Sequence, residues 1–187
     1  MHLVTYTMGV SLDGYIAGPD GDFSWTAPDE EWFRFITDLT RPLGVHLLGR
    51  RLYETMLYWE SDEQDESSDY STSEWATLWR ALPKVVFSST LTSLQGNARL
   101  ATGSVGNEIA RLRAEPGDGE IAIGGATLAA KAAEAGLIDE YRITVHPVVV
   151  GGGIPYFPRG LPRIDLERVE TREFGSGVVF SRYRVVR

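Results

Sequence analysis

The chain has 187 residues, of which 43% are hydrophobic and 24% charged, and its formal net charge is −8. This length and composition predict one folded domain over residues 1–187, and the negative charge argues against nucleic acid as a partner. The sequence has no cysteine, which excludes disulfides, thiolate zinc sites and a cysteine nucleophile. Because no apolar run reaches the roughly 20 residues that span a bilayer, and no signal-like start is present, we expect a cytoplasmic protein without a membrane partner.

A first strand is predicted over residues 3–10, which are rich in β-branched and aromatic side chains, and a turn-rich stretch follows over 11–21. A loop of this length after a strand is typical of a binding loop. The next apolar residues recur at helical spacing and predict a helix: Trp32, Phe35, Ile36 and Leu39. Thr26 and Asp29 precede them at the spacing of a capping box, which marks the helix start.

The middle of the chain alternates between strand and helix patterns. Short apolar strands are predicted over 45–48, 84–87 and 120–123. Helices are predicted over 50–57, after the cap candidate Ser73, around Ile109, and from Ala126 to a stop at Gly136. Residues 60–70 carry many acidic side chains and no basic one, which predicts a solvated, mobile excursion.

The pattern changes after Asp139, where no further helix is predicted. One long strand is expected over 141–150, then a turn at 151–153, then a hairpin of 169–174 and 178–185. Alternating strands and helices that end in a hairpin predict an α/β fold. Its sheet is mixed but mostly parallel, with helices on both faces and a C-terminal antiparallel hairpin.

Three predicted strand ends carry residues that suit a dinucleotide: Gly49-Arg50-Arg51, Ser88-Ser89-Thr90 and Gly124-Gly125-Ala126-Thr127. Ligands of open α/β sheets bind outside the carboxyl ends of the parallel strands, so the three turns are expected to line one crevice. Glycines at a helix start suit a pyrophosphate, the arginine fork suits a terminal phosphate, and serine hydroxyls suit that phosphate or a ribose. A tight turn explains the glycine pair equally well, and the full Rossmann glycine motif is absent.

Five segments, in this order, carry a family resemblance: DGYIA at 13–17, LGRRLYE at 48–54, KVVFSS at 84–89, IGGA at 123–126 and DEYRITVHPVVVGGG at 139–153. With them the chain resembles the dihydrofolate reductase-like superfamily and its three-layer fold. It is most similar to the reductase domain of the bifunctional deaminase-reductase of riboflavin biosynthesis and to the stand-alone relatives of that domain. The resemblance covers nearly the whole chain, and the last segment is its most specific motif.

The resemblance implies a homodimeric reductase that uses NADPH to reduce a small heterocyclic or imine-bearing substrate, as 5-amino-6-(5-phosphoribosylamino)uracil reductase does. Its implied cofactor residues fall into four groups. They are Arg50 and Arg51 for the 2′-phosphate, with Gly49 before them; Ser88 and Ser89 for the adenosine side; Gly124, Gly125, Ala126, Thr127 and Leu128 for the pyrophosphate; and Gly9, Ile16 and Ala17 beside the nicotinamide.

The resemblance also singles out residues for the substrate. Asp29 lies three residues before Trp32, a spacing similar to that of the substrate-binding acid of dihydrofolate reductases. If it is buried, it is a candidate to bind a pterin or pyrimidine and to protonate a C=N bond as hydride arrives. The alternative is that Asp29 only caps the helix. Trp25 either contacts the substrate or packs in the core. Core or surface roles are expected for His46 and His146, and no metal site is predicted.

Two departures from the family pattern leave other functions open. Leu52 replaces a threonine common in the family, and these 187 residues contain no deaminase zinc motif. Dihydrofolate reductase activity is one alternative. An NADP-binding module without productive catalysis is a second, and an interaction protein acting through its acidic stretch is a third.

Overall fold

The computed structural model describes residues 2–27, 29–61 and 70–187. Ten strands are assigned within them: β1 Val4–Ser11, β2 Tyr15–Ala17, β3 Leu43–Gly49, β4 Lys84–Phe87, β5 Ala98–Leu100, β6 Glu120–Gly124, β7 Glu140–His146, β8 Ile154–Pro155, β9 Leu166–Glu173 and β10 Val179–Val185. Eight of them form one sheet in the order β5-β4-β3-β6-β1-β7-β10-β9, and β2 pairs with β8 in a separate two-stranded sheet.

The large sheet is parallel through its centre and antiparallel at one edge. Strands β5, β4, β3, β6, β1 and β7 pair in parallel, whereas β10 is antiparallel to both β7 and β9. Central parallel strands are covered on both faces, which explains why β3 and β6 are almost wholly apolar in sequence. The mixed sheet with its C-terminal hairpin is confirmed.

Helices cover both faces of the sheet: α1 Glu30–Thr40, α2 Arg50–Met56, α3 Tyr70–Ala81, α4 Val105–Ala114 and α5 Ala126–Glu134. Successive strand residues point to opposite faces, and β3 shows the consequence. Leu47 joins the cluster that contains Ile109 of α4 and Leu128 of α5. Leu48 joins the cluster of α2 and α3. Both leucines are fully buried, which contributes about 1.5–3 kcal/mol for each side chain.

Two predicted boundaries are wrong, each because of a proline. The predicted capping box does not form, because Asp29 itself is the N-cap of α1. Ala27 is extended, with φ −53° and ψ 120°, as expected for the residue before Pro28, so no helix can begin at Thr26. Strand β7 ends at His146 rather than at 150, because Pro147 has no N–H to continue the ladder.

Other boundaries differ less. Helix α3 begins at Tyr70, before the predicted cap Ser73, and the short strands β2, β5 and β8 were not predicted. Most of the predicted acidic excursion, residues 62–69, lies outside the described residues. Within the part of the chain that is described, no helix has the length and apolar character needed to cross a bilayer.

Candidate active site

The sheet order brings the three predicted turns together at one edge. Strands β4, β3 and β6 are neighbours. The register pairs Gly49 with Phe87 on one side of β3, and Leu48 with Gly124 on the other. Because neighbouring strands lie about 4.8 Å apart, the strands that carry the three turns span about 10 Å. The turns therefore lie side by side at the carboxyl ends of parallel strands, and we call this surface the crevice.

The two glycines after β6 are each required by the backbone or by packing. A Cβ on Gly124 would lie 2.6 Å from Leu52 Cδ2 and 2.9 Å from His46 Nε2, so β6 approaches α2 more closely than any side chain permits. Gly125 has φ +95°, which strains other residues. These constraints hold without a ligand, so the glycine pair is no evidence for one by itself.

The start of α5 has the features of an anion site. Its N-cap is Gly125, which supplies no side-chain hydrogen bond, so the first backbone N–H groups lack a cap. Those groups belong to Ala126, Thr127 and Leu128, of which only Thr127 has an exposed side chain. Uncapped N–H groups and the helix dipole favour a phosphate or pyrophosphate at this point.

The two arginines at the start of α2 differ in their partners. Arg50 donates from Nη1 to Thr90 Oγ1 at 2.8 Å and from Nε to Glu54 Oε1, also at 2.8 Å. Arg51 is exposed and makes no ion pair with the residues that the structure describes. Its full charge is available to an anion. The charge of Arg50 is shared with Glu54, although a half-exposed pair of this kind stabilises by only about 0–1 kcal/mol.

The serine turn is built by its own hydrogen bonds. Ser88 Oγ accepts from the backbone N–H groups of Thr90 and Leu91, both at 3.1 Å, and its hydroxyl lies 3.4 Å from Thr90 Oγ1. Ser89 is exposed. Thr90 was not among the predicted site residues, yet it fixes the Arg50 guanidinium, and its place in the same polar turn is the sequence signal for it.

A second group of residues gathers where β1 and β7 end. Gly9 lies under the imidazole of His146: a Cβ on Gly9 would be 3.1 Å from His146 Nε2. The ring is 5.6 Å from Trp25 and 6.3 Å from Trp32, edge-on to both. His146 is 3% exposed. Burial lowers the pKa of its imidazole below the usual range, so the ring is neutral at pH 7.

Trp25 lies in a 3₁₀ turn, Ser24–Thr26, beside this histidine. Its indole N–H is buried and has no acceptor among the residues of known position. The structure thus places Trp25 beside His146, whose ring lies against Gly9, and the contact of Trp25 with a substrate stays a prediction.

The loop after β1 packs on the triple-glycine loop after β7. Asp13 accepts hydrogen bonds from the N–H groups of Val150 and Gly151, at 3.2 and 2.8 Å. A Cβ on Gly153 would lie 2.0 Å from the carbonyl oxygen of Ala17. Two of the resemblance segments, 13–17 and 139–153, are therefore two sides of one contact.

The residues predicted beside the nicotinamide lie on or next to this loop. Ile16 packs against the main core and Ala17 is 7% exposed, both within β2. The side-chain oxygen of Ser11, the last residue of β1, accepts from Tyr15 N at 3.0 Å and ties β2 to β1. The roles of Gly9, Ile16 and Ala17 toward a nicotinamide remain predictions.

Asp29 is exposed rather than buried. Its carboxylate accepts from Trp32 N at 2.7 Å. That hydrogen bond and a second one with Ser176 hold the pKa of Asp29 below its usual range. A proton donor works best with a pKa near the working pH. The structure shows Asp29 as a helix cap, and its catalytic role stays a prediction.

His146 was assigned to the core or surface from the sequence, and it is the main residue that sequence reasoning placed away from the site. The available signal was the polar alternation of Arg142, Thr144 and His146 along β7, which puts all three on one face. Their position opposite Gly9 required the pairing of β1 with β7, which matches Gly9 with Thr144 and Ser11 with His146.

A cavity of about 480 Å³ lies at the opposite edge of the sheet. Gly44 at the start of β3, Lys84 at the start of β4 and Gly119 just before β6 line it, together with Arg99 and Arg111. Both arginines are paired with Glu108. This cavity is therefore separate from the crevice, which is an open surface at the carboxyl ends of the strands.

The strand order, the helices on both faces and the C-terminal hairpin define a dihydrofolate reductase-like α/β protein. Within that class the chain belongs to the RibD C-terminal domain family, whose model matches residues 2–180. The uncharacterized protein YyaP of Bacillus subtilis (strain 168) is 33% identical over 172 residues, 92% of this chain and 89% of that protein. YwjB of the same strain is 32% identical over 174 residues, 91% of each chain.

Solved structures share the fold. A candidate riboflavin biosynthesis protein of Shewanella sp. PV-4 has a TM-score of 0.76 at 24% identity, with both chains covered in full. The diaminohydroxyphosphoribosylaminopyrimidine deaminase/5-amino-6-(5-phosphoribosylamino)uracil reductase of Thermotoga maritima has a TM-score of 0.67 at 16% identity. That match covers 99% of this chain and 57% of the other.

Proposed function

We propose that this protein is an NADPH-dependent reductase that transfers hydride to a small heterocyclic or imine-bearing substrate. The chain belongs to a reductase family, and the Thermotoga maritima neighbour is named as a uracil reductase. NADPH would supply the hydride, and the protein would bind and orient the reactants.

The observation that carries the proposal is the meeting of three turns at one sheet edge. The uncapped start of α5 would hold the pyrophosphate through backbone N–H groups. Arg51, which has no described ion-pair partner, and Arg50 would bind the 2′-phosphate that distinguishes NADPH from NADH. Ser88 and Ser89 would hydrogen-bond the adenosine side.

The order of the strands supports one direction for the proposed nucleotide. Strand β1, which carries Gly9, adjoins β6 on the side away from β3. With the 2′-phosphate at β3 and the pyrophosphate at β6, the nicotinamide would reach the end of β1. Gly9 has no side chain there, and the neutral ring of His146 covers it. A flat substrate would stack beside the nicotinamide at this point.

The first test is the affinity for NADPH and NADH, measured by fluorescence titration. We expect NADPH-selective binding in the wild type and a loss of about ten-fold or more in the double variant Arg50→Ala, Arg51→Ala, with NADH affinity little changed. The matched control is Arg34→Ala, a surface arginine of α1 paired with Glu30. Failure to bind either nucleotide would overturn the proposal.

A second candidate function is an NADP-binding module without turnover, which the low pKa of Asp29 and the presence of Leu52 favour. Oxidation of NADPH in the presence of dihydropterins, dihydrofolate, aminopyrimidines and quinones separates the candidates. Turnover with any of them establishes a reductase, and turnover coupled to dihydrofolate establishes the dihydrofolate reductase alternative. Nucleotide binding without turnover supports the module.

A further inference from the structure

The segments that surround His146 carry acidic side chains and no basic ones. Four segments meet there: the loop after β1, the start of α1, the end of β7 with its loop, and the β9–β10 turn. A Cβ on Gly9 would meet both the ring and Thr26. Trp32 of α1 is edge-on to the ring, and Pro147, which follows His146, lies against Gly177.

Residues 2–33 contain no lysine or arginine and carry these acidic residues: Asp13, Asp20, Asp22, Asp29, Glu30 and Glu31. Residues 143–158 and 174–181 contain no lysine, arginine, aspartate or glutamate. Hydrogen bonds, from Ser24 to Asp22 and from Trp32 to Asp29, lower the pKa of both carboxyls. Both are ionised at neutral pH.

The nearest cations on the packed elements are already engaged. Arg172 of β9 pairs with Glu31 at 3.1 Å and lies over the rings of Phe35 and Phe174. Arg142 of β7 is buried between Glu120 and Glu140, toward the other end of the strand. Arg50 and Arg51 follow β3, which is two strands from β1.

Two buried polar groups at this place have no protein partner. His146 is 3% exposed, and no hydrogen bond joins either of its ring nitrogens to a described residue. The Trp25 indole N–H is likewise buried without an acceptor. Buried polar groups are normally hydrogen-bonded, so an unpaired imidazole and indole beside Gly9 point to a ligand with its own donors and acceptors.

We propose that this end of the crevice takes a flat heterocycle that carries no phosphate, bound against His146 and Trp25. The inference rests on the proposed function and narrows its substrate class. It separates this protein from the reaction named for the Thermotoga maritima neighbour, whose substrate carries a phosphoribosyl group. A phosphate near the carboxylates would be repelled, and no free cation on these segments would compensate.

The test uses a matched pair of aminopyrimidines, 5-amino-6-(ribosylamino)uracil and its 5-phosphate, titrated into the full chain with NADP⁺ present. Quenching of tryptophan fluorescence reports binding. We expect the nucleoside to bind about ten-fold or more tightly than its phosphate. Equal or tighter binding of the phosphate would overturn the inference, as would binding of neither when NADP⁺ binds. A chain that does not bind NADP⁺ or NADPH overturns the proposed function instead.

Variants identify the groups responsible for the preference for the nucleoside over its phosphate. Asp20→Asn with Asp22→Asn should narrow the preference for the nucleoside several-fold, because it removes two negative charges and keeps oxygen acceptors. Asp38→Asn, near the far end of α1, is the matched control and should leave the preference unchanged. An unchanged preference in the double variant contradicts the electrostatic argument.

His146→Phe keeps an aromatic ring beside Trp25 and removes both nitrogens. We expect about ten-fold weaker binding of the nucleoside with NADP⁺ affinity and melting temperature unchanged. Unchanged nucleoside affinity would show that the imidazole does not contact the ligand.

Discussion

The two halves of the crevice differ in charge and in chemistry. The half at β4, β3 and β6 presents Arg50, Arg51 and the uncapped start of α5, and it suits anions. The half at β1 and β7 has a neutral imidazole, an indole and carboxylates on the adjoining segments, and in our proposal it repels anions. In a chain of net charge −8, two adjacent arginines thus lie where a phosphorylated cofactor would bind.

The difference extends to two histidines: the partly buried His46 lies beside Gly124 in the first half, and the buried His146 lies beside Gly9 in the second. Burial, and then the charge of Lys84, lower the pKa of His46 from 6.5 to about 4. The folded pKa lies below the unfolded one, so the unfolded chain binds more protons between these values, and stability falls as pH falls from about 6.5 toward 4. The loss from His46 is about 3 kcal/mol at 1.36 kcal/mol per pKa unit.

Urea denaturation from pH 7.5 to 4 measures this loss. His46→Gln should lack about 3 kcal/mol of the wild-type pH dependence, whereas His146→Gln should change it less. Equal slopes for the wild type and His46→Gln would show that the imidazole is not buried behind Gly124.

The glycines of the anion-binding half provide the next contrast. Gly124→Ala should lower the free energy of unfolding by about 1–3 kcal/mol, because the added Cβ overlaps Leu52 and His46. Gly49→Ala is the matched control, since a Cβ there meets nothing within 4 Å, and a change within about 0.5 kcal/mol is expected. Thermal denaturation of the two variants measures these changes. No loss of stability in Gly124→Ala would contradict the close approach of β6 to α2.

In the other half, substitutions of Asp29 distinguish a capping role from a catalytic one. Asp29→Ala should destabilise the protein by about 1 kcal/mol, while Asp29→Asn, which keeps a capping oxygen, should destabilise it by a few tenths. The low pKa of Asp29 further predicts that Asp29→Asn retains most of kcat. A loss of kcat of about a hundred-fold or more in Asp29→Asn, with stability retained, would instead establish Asp29 as the proton donor.

The smallest effect concerns the shared charge of Arg50. Glu54→Gln removes its carboxylate partner and should tighten NADPH binding by about two- to five-fold, the range of an exposed ion pair. Glu30→Gln removes the partner of Arg34, away from the crevice, and should leave NADPH affinity unchanged. Weaker NADPH binding by Glu54→Gln would mean that Glu54 positions Arg50 rather than competing for it.

The meeting of the three turns was easier to predict from the sequence than the arrangement around His146, for a physical reason. Buried parallel strands are apolar runs of fixed length, and the turns after them are read directly as Gly-Arg-Arg, Ser-Ser-Thr and Gly-Gly. Their juxtaposition follows from the rule that ligands bind at the carboxyl ends of such strands. Chain order and local pattern were therefore sufficient to predict that the three turns lie together.

The other half depends on pairing between distant segments. A single histidine before a proline has no assignable role until β7 is placed beside β1, with Ser11 opposite His146. Strands β2 and β8, of three and two residues, exist only because the two loops pack together. The capping prediction failed because two rules competed at Thr26, and the restriction on Ala27 before Pro28 prevailed.

A crystal structure with NADP⁺ bound would test the division of the crevice most directly. The account predicts the 2′-phosphate at Arg50 and Arg51, the pyrophosphate at the N–H groups of Ala126 to Leu128, and the nicotinamide over Gly9 beside His146. A nucleotide bound in the reverse direction, or in the cavity at the opposite edge of the sheet, would contradict it.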